Sequence, residues 1–272
     1  MSDLTNNCPK LLNSLEKMQE VASYLWQKGW AECNGGNLSV DVTDELADLN
    51  FSPEIQRQTK LDKEYPALKG RYFLVTGSGY RYRDFAKDAE ENSCILKISA
   101  DNAYDIIWGQ GINPDFRPTS ELPSHLAMHS YFKENKIDKK VVLHTHPTEL
   151  IAMSHLTDYA DEKTLNHALW GMLPEVKVVV PKGLGLVPYG LPSSEKLAMQ
   201  TMDILKNGYD VVMWEMHGAL ACAKDVVTAF DIIDTLNKAA EIVLMCLATG
   251  NKPRGLSKEH IDELVVAFGL ED

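Results

Sequence analysis

Apolar residues at Leu11, Leu15, Met18, Ala22 and Leu25 recur every three or four positions. That period predicts an amphipathic opening helix, which Gly29 and Trp30 end. Asp44 to Leu68 is polar and irregular and reads as surface loop. Tyr72–Thr76 follows as a strand, and Cys94–Ser99 and Tyr104–Trp108 read as a hairpin across Ala100-Asp101-Asn102-Ala103. Leu122, Leu126, His129 and Phe132 make the buried stripe of a helix that Ser120 can cap, with Pro123 tolerated in its first turn. Val141-Val142-Leu143-His144-Thr145-His146 reads as a buried strand stopped by Pro147. Helices are predicted over Thr148–Leu156 and Glu162–Trp170, and the apolar run Glu175–Val180 reads as a strand. Ser194 opens a helix to Lys206, Val211–Met216 is strand-like, and Asp225–Thr249 is a long amphipathic helix closed by Gly250. Ser257 begins a last helix through Phe268. Helices and strands intermixed, with at least one hairpin, predict an α/β fold: one domain over residues 1–272 with a mixed, antiparallel-rich central sheet between helical layers.

Composition narrows the functions this fold can serve. A chain of 272 residues can bury one sizeable core, and no linker-like break divides it. The formal charge of −12 argues against a general nucleic-acid binder, because phosphate backbones reward a basic face and no Lys/Arg cluster supplies one. Cys8, Cys33, Cys94, Cys222 and Cys246 are scattered without a Cys-x-x-Cys, the usage of reduced thiols. No apolar run reaches about 18 residues and Met1–Lys10 lacks the order of a signal peptide, so the expectation is a cytoplasmic protein with no membrane partner.

The candidate chemistry centres on histidine. Strand alternation puts His144 and His146 on one face with Cα atoms roughly 6.5 Å apart, close enough for two imidazoles to converge on one ion. His217 stands in a matching context, after the apolar run Val211-Val212-Met213-Trp214. Three neutral imidazoles with an open fourth position make a catalytic zinc arrangement, which can polarise a substrate oxygen. His125 and His129 form an i,i+4 pair without the Glu of His-Glu-x-x-His, and read as structural or as outer support to the metal ligands. Asn34-Gly35-Gly36-Asn37 and Gly77-Ser78-Gly79 are glycine-bearing turns at strand ends that can offer backbone N–H groups to an anion, although plain turns are the commoner use of such sequences. Neither has the spacing of a P-loop or a dinucleotide fingerprint. Glu121 either answers the helix dipole or serves as a positioned acid/base.

Four of these pieces, in this order, carry a family resemblance: Asn34-Gly35-Gly36-Asn37, Thr76-Gly77-Ser78-Gly79, Pro118-Thr119-Ser120-Glu121, and His144-x-His146 with the distant His217-Gly218. Together they resemble the class II sugar-phosphate aldolases, from about Trp26 to the end of the chain. The resemblance implies a homotetrameric, zinc-dependent lyase that cleaves a ketose 1-phosphate to dihydroxyacetone phosphate and an aldehyde. It implies His144, His146 and His217 as zinc ligands and Glu121 as the catalytic carboxylate. Asn34, Gly36, Asn37, Ser78, Gly79 and Ser120 would surround the substrate phosphate, and Glu175 would be a second acid/base supplied to a neighbouring subunit. A phosphopentulose 4-epimerase would use the same metal and the same bond cleavage. Outside the family, Lys97 and Lys177 sit in apolar contexts that suit a Schiff-base aldolase, and an interaction domain could keep the fold without the chemistry.

Overall fold

The computed structural model describes residue 4 and residues 7–47, 53–99 and 102–270. They form two compact units, one of residues up to Thr145 with Cys222–Ala229, the other of His146–Ala221 with Phe230 onward.

The first unit opens with α1 (Pro9–Gln27), which begins on Pro9 and buries Leu11, Leu15, Met18, Val21, Ala22 and Leu25. Gly29 at φ +73 ends it, as the pattern predicted. The strands β1 (Asn37–Asp41), β2 (Arg57–Lys60) and β3 (Tyr72–Thr76) follow, then the short helical turns α2 (Tyr82–Phe85) and α3 (Ala89–Asn92). After them come β4 (Ser93–Ile98), β5 (Ala103–Gly109), α4 (Leu122–Glu134) and β6 (Val141–Thr145). The strands lie in the order β2-β5-β4-β3-β1-β6, and each of these neighbours is antiparallel. β4 and β5 pair as the hairpin reading expects, while Ala100 and Asp101 of its turn lie outside the described residues.

Alternate residues of these strands, Phe73, Val75, Cys94, Leu96, Ile98, Tyr104 and Ile106, form one apolar cluster with Leu122 and Leu126 of α4. Fully burying a side chain of this size contributes about 1.5–3 kcal/mol, so α4 is held to the sheet by its Leu stripe.

The second unit holds α5 (Thr148–Ser154), α6 (Glu162–Met172), α7 (Pro174–Val179), β7 (Gly185–Val187) and α8 (Glu195–Lys206). The hairpin β8 (Val211–Trp214) and β9 (Gly218–Ala223) comes next, followed by α9 (Val226–Ala248) and α10 (Lys258–Phe268), with the end of β9 and the first turn of α9 counted in the first unit. β8 pairs antiparallel with β9 and parallel with β7, which makes the sheet mixed. Ser194 caps α8 through the Leu197 N–H, and Ser257 caps α10 in a reciprocal capping box with His260.

Four local readings change. Glu175–Val180 is not a strand: Pro174 starts a helix in which Glu175 occupies the first turn and Val176 and Lys177 are buried. Proline at a first helical position and an acid at the positive helix end favour that start, and packing against α6 and α10 overrides the strand preference of four valines. The stretch from Asp44 to Leu68 contains β2, a polar strand paired with β5, and a 3₁₀ turn at Pro66–Leu68, with 48–52 outside the described residues. The cap position of α4 is held by Glu121 rather than Ser120. β6 ends at Thr145, so His146 lies just beyond the ladder.

Candidate active site

Val141, Val142 and Leu143 are fully buried and carry β6 through the first unit, where His144 pairs with Asn37 across the β1–β6 ladder. Directly opposed strand residues project to the same face. Thr145 closes the strand by donating its hydroxyl to the Trp30 carbonyl at 2.7 Å, and His146 follows it, half-buried.

In the second unit the tight β8–β9 turn presents His217. The His217 N–H donates to the Trp214 carbonyl at 3.0 Å, the Met216 N–H to Ser154 Oγ at 2.9 Å, and Met216 takes a left-handed φ of 59°. The His217 ring stacks on Trp214 at 5.2 Å and lies 5.3 Å from that of His146. His144, His146 and His217 each offer a ring nitrogen, and these ligand atoms all lie within 4.8 Å of one another. A set of three imidazoles, without thiolate, suits a borderline divalent ion of the zinc type.

Glu121 is buried at the cap of α4, where its N–H donates to Thr119 Oγ1 at 3.3 Å. Its carboxylate accepts from Asn37 Nδ2 at 3.1 Å. Because Asn37 is also the register partner of His144, one strand position links the carboxylate to a candidate metal ligand. Tyr82, which the sequence did not single out, lies beside both. Its hydroxyl donates to the His144 carbonyl at 3.2 Å, and burial, reinforced by the charge of Glu121, pushes the phenol well above its ordinary range. It therefore stays an O–H donor. Nothing in the polar run Tyr80-Arg81-Tyr82-Arg83 marks it, since its role depends on where α2 packs.

The predicted loops meet. The Leu38 N–H donates to Thr76 Oγ1 at 3.0 Å, the Thr119 N–H to the Thr76 carbonyl at 2.9 Å, and Gly77 bridges to Pro118. The Ser78 N–H, however, donates to the Arg117 carbonyl at 2.8 Å, and the N–H groups of Gly77 and Tyr80 are also used within the protein. Those three amides hold the loop. The exposed Ser78 hydroxyl and Gly79 instead line a cavity of about 430 Å³ with Tyr80, Arg81, Asp84, Glu91 and Asn92. Asn34 and Ser120 are exposed near the other loop ends, and Glu175 is exposed in the first turn of α7.

Both lysines weighed for Schiff-base chemistry are engaged with other groups. Lys177 lies on a helix, donates to the Pro181 carbonyl at 2.9 Å and stacks over Trp170, and Lys97 is only half-buried, over Tyr72.

Residues 16–244 match the family described as class II aldolase and adducin N-terminal domain. The chain belongs to that family and is a class II aldolase, a member of the metal-dependent carbon–carbon lyases. Its similarity runs from end to end into the rhamnulose-1-phosphate aldolase of Bacteroides thetaiotaomicron, 43% identical over 272 residues and 99% of each chain. The rhamnulose-1-phosphate aldolase of Enterococcus faecalis is 33% identical over 259 residues, 94% of this chain and 91% of that protein. Among solved structures, a sugar-phosphate aldolase from Thermotoga maritima superposes with a TM-score of 0.75 at 34% identity, covering 90% of this chain and 99% of that one.

Proposed function

We propose that the chain cleaves L-rhamnulose 1-phosphate to dihydroxyacetone phosphate and L-lactaldehyde. The observation that carries this reading is the convergence of His144, His146 and His217 in a chain that matches rhamnulose-1-phosphate aldolases over nearly its full length. Those three histidines would hold zinc, which when bound supplies a Lewis acid for the substrate's carbonyl and hydroxyl oxygens and stabilises negative charge on the ketone fragment.

The remaining work falls to side chains. The proton of the C4 hydroxyl leaves as the C3–C4 bond breaks, the electron pair of that bond passes to the C3 side, and C3 then takes up a proton. Glu121, buried and held by Asn37, supports the role of proton carrier at C3. Glu175 we assign to the C4 hydroxyl of a neighbouring subunit's substrate in a homotetramer, a role for which its exposed position on α7 leaves it available. Asn34, Gly36, Asn37, Ser78, Gly79 and Ser120 would receive the phosphate, on loops that hydrogen bonds already join. We read residues 1–272 as a single functional domain, since the family match runs through both compact units. We place the reaction in the cytoplasm, where the five free thiols would stay reduced. No helix among the described residues is long and apolar enough to cross a membrane.

The test is a panel assay of L-rhamnulose 1-phosphate, L-fuculose 1-phosphate, a phosphopentulose and unphosphorylated L-rhamnulose. The expected result is dihydroxyacetone phosphate released fastest from the first. Epimerisation of the phosphopentulose without net cleavage, or equal turnover of free and phosphorylated L-rhamnulose, would overturn the reading.

A further inference from the structure

Two buried histidines outside the metal set are joined to Glu121 through side chains. Ser39 Oγ lies 2.7 Å from His125 Nδ1 and 2.8 Å from His129 Nε2, His125 Nε2 lies 2.6 Å from Asn37 Oδ1, and Asn37 Nδ2 lies 3.1 Å from Glu121 Oε2. Ser39, His125 and His129 are almost wholly inaccessible, and Asn37 and Glu121 are buried. The β1 register puts Asn37 and Ser39 on one face, and α4 lays His125 and His129 across it at i,i+4 spacing. Burial holds both imidazoles down to a pKa of about 3, aided for His125 by His129 and for His129 by Arg71, so both are neutral at any working pH.

Neutrality makes every hydrogen bond in this chain directional. The NH₂ of Asn37 donates to Glu121, so its Oδ1 must accept on the other side. His125 therefore carries its proton on Nε2 and leaves Nδ1 as an acceptor. Ser39 spends its one O–H on that Nδ1, and its oxygen accepts from His129 Nε2–H. Each group has one consistent assignment. With the hydroxyl absent, His125 Nδ1 loses its donor and His129 Nε2–H its acceptor, so the His125 ring is held from one side only, through its bond to Asn37.

We infer that Ser39 and His125 are positioning residues for the lyase reaction: they lock the orientation of the Asn37 side-chain amide and thereby fix the Glu121 carboxylate. The functional half of this inference rests on Glu121 as the proton carrier. The arrangement of protons does not. A merely structural histidine pair would require satisfied bonds, but no particular direction ending at the carboxylate.

The experiment combines activity with imidazole ¹⁵N spectra of the full-length, metal-loaded enzyme labelled at histidine. Wild-type His125 and His129 are expected as neutral Nε2–H tautomers, unchanged between about pH 5 and 9. Ser39→Ala is expected to remove the hydrogen-bond shift of the His125 Nδ1 resonance while the Nε2–H form persists, and to lower kcat on the order of tenfold, with KM altered much less and bound metal retained. Ser39→Thr, which keeps the hydroxyl, should restore most of kcat. An Nδ1–H tautomer of His125 in the wild type, or a Ser39→Ala enzyme with wild-type kcat, would overturn the inference. So would equal losses in Ser39→Ala and Ser39→Thr with matching drops in melting temperature, since packing alone would then account for both. If the wild type cleaved no sugar phosphate, the functional reading would fall with its proton carrier, while the spectra would still decide whether the relay exists.

Discussion

Gly36 lies directly against the backbone of His144: a Cβ built on it would stand 2.6 Å from the His144 carbonyl oxygen and 2.7 Å from the ring of Tyr82. Its φ of +81° is itself a conformation that side chains disfavour. Gly36→Ala is therefore expected to destabilise the fold by about 1–3 kcal/mol and to weaken metal binding by displacing β6. Denaturant unfolding together with metal titration checks both effects. Wild-type stability and metal affinity would show that the strand accommodates the methyl group.

Removal of divalent metal should abolish cleavage, and zinc should restore it. His144→Ala should lose the metal, whereas borohydride with substrate should trap nothing on Lys97 or Lys177, which are engaged over Tyr72 and at the Pro181 carbonyl and Trp170. Mass spectrometry of the borohydride-treated enzyme and a metal assay give the readouts. Full activity in chelator with a trapped lysine would defeat the metal reading.

Glu121→Gln keeps the shape of a side chain that accepts from Asn37 while removing the exchangeable proton site. Its kcat should fall by on the order of 10²-fold or more, with zinc content unchanged. Loss of the metal in this variant would instead make Glu121 a ligand.

Regular burial was what the sequence made legible. β3, β4 and β5 are short, largely apolar runs buried on both faces, and the helices at Pro9–Gln27, Leu122–Glu134 and Glu195–Lys206 bury apolar residues that return every three or four positions. The apolar run failed as a guide at Val176–Val180, where four valines suit a strand but Pro174 and the neighbouring helices decide for α7. β2 escaped because Arg57-Gln58-Thr59-Lys60 has no apolar side chain, its pairing resting on backbone bonds to β5. Spacing picked out the histidines whose nitrogens converge, although His146 reaches them from beyond the strand that suggested it. Ser39 and Tyr82 could not be found this way: each meets its partners only through strand register and helix packing, between residues some 60 to 90 positions apart.

The buried pair on α4 also ties stability to acid. His125 and His129 have a folded pKa of about 3 against an ordinary 6.5, so the unfolded chain binds protons that the folded one refuses. Their contribution is complete above about pH 6.5 and is lost toward pH 3, at up to about 1.4 kcal/mol per pH unit for each histidine. Unfolding free energies measured between pH 4 and 7 should fall steeply below 6.5. In His129→Phe, whose ring would sit among Phe73 and Phe132, the slope should be shallower by about one histidine's share. An unchanged slope would mean that carboxylates alone set it.

Glu175 can be tested by mixing. A Glu175→Ala chain keeps its metal ligands, and a His144→Ala chain keeps its Glu175. Co-expressed mixed oligomers should recover activity above the sum of the two separate variants. Mixed oligomers verified by differing tags that show no recovery would confine Glu175 to its own chain or to a structural part.

The polar composition of β2 bears on solubility as well as on pairing. β2 stands at one end of the strand order with β5 as its hydrogen-bonded neighbour, and it alternates half-buried Arg57 and Thr59 with exposed Gln58 and Lys60. A terminal strand is a template on which a foreign chain can add its own backbone. Another β2 approaching this one would bring Lys60 and Arg57 against their own charge and would find no apolar strip to bury. The segment that is hardest to recognise as a strand is thus the one best suited to end the sheet without inviting fibril growth.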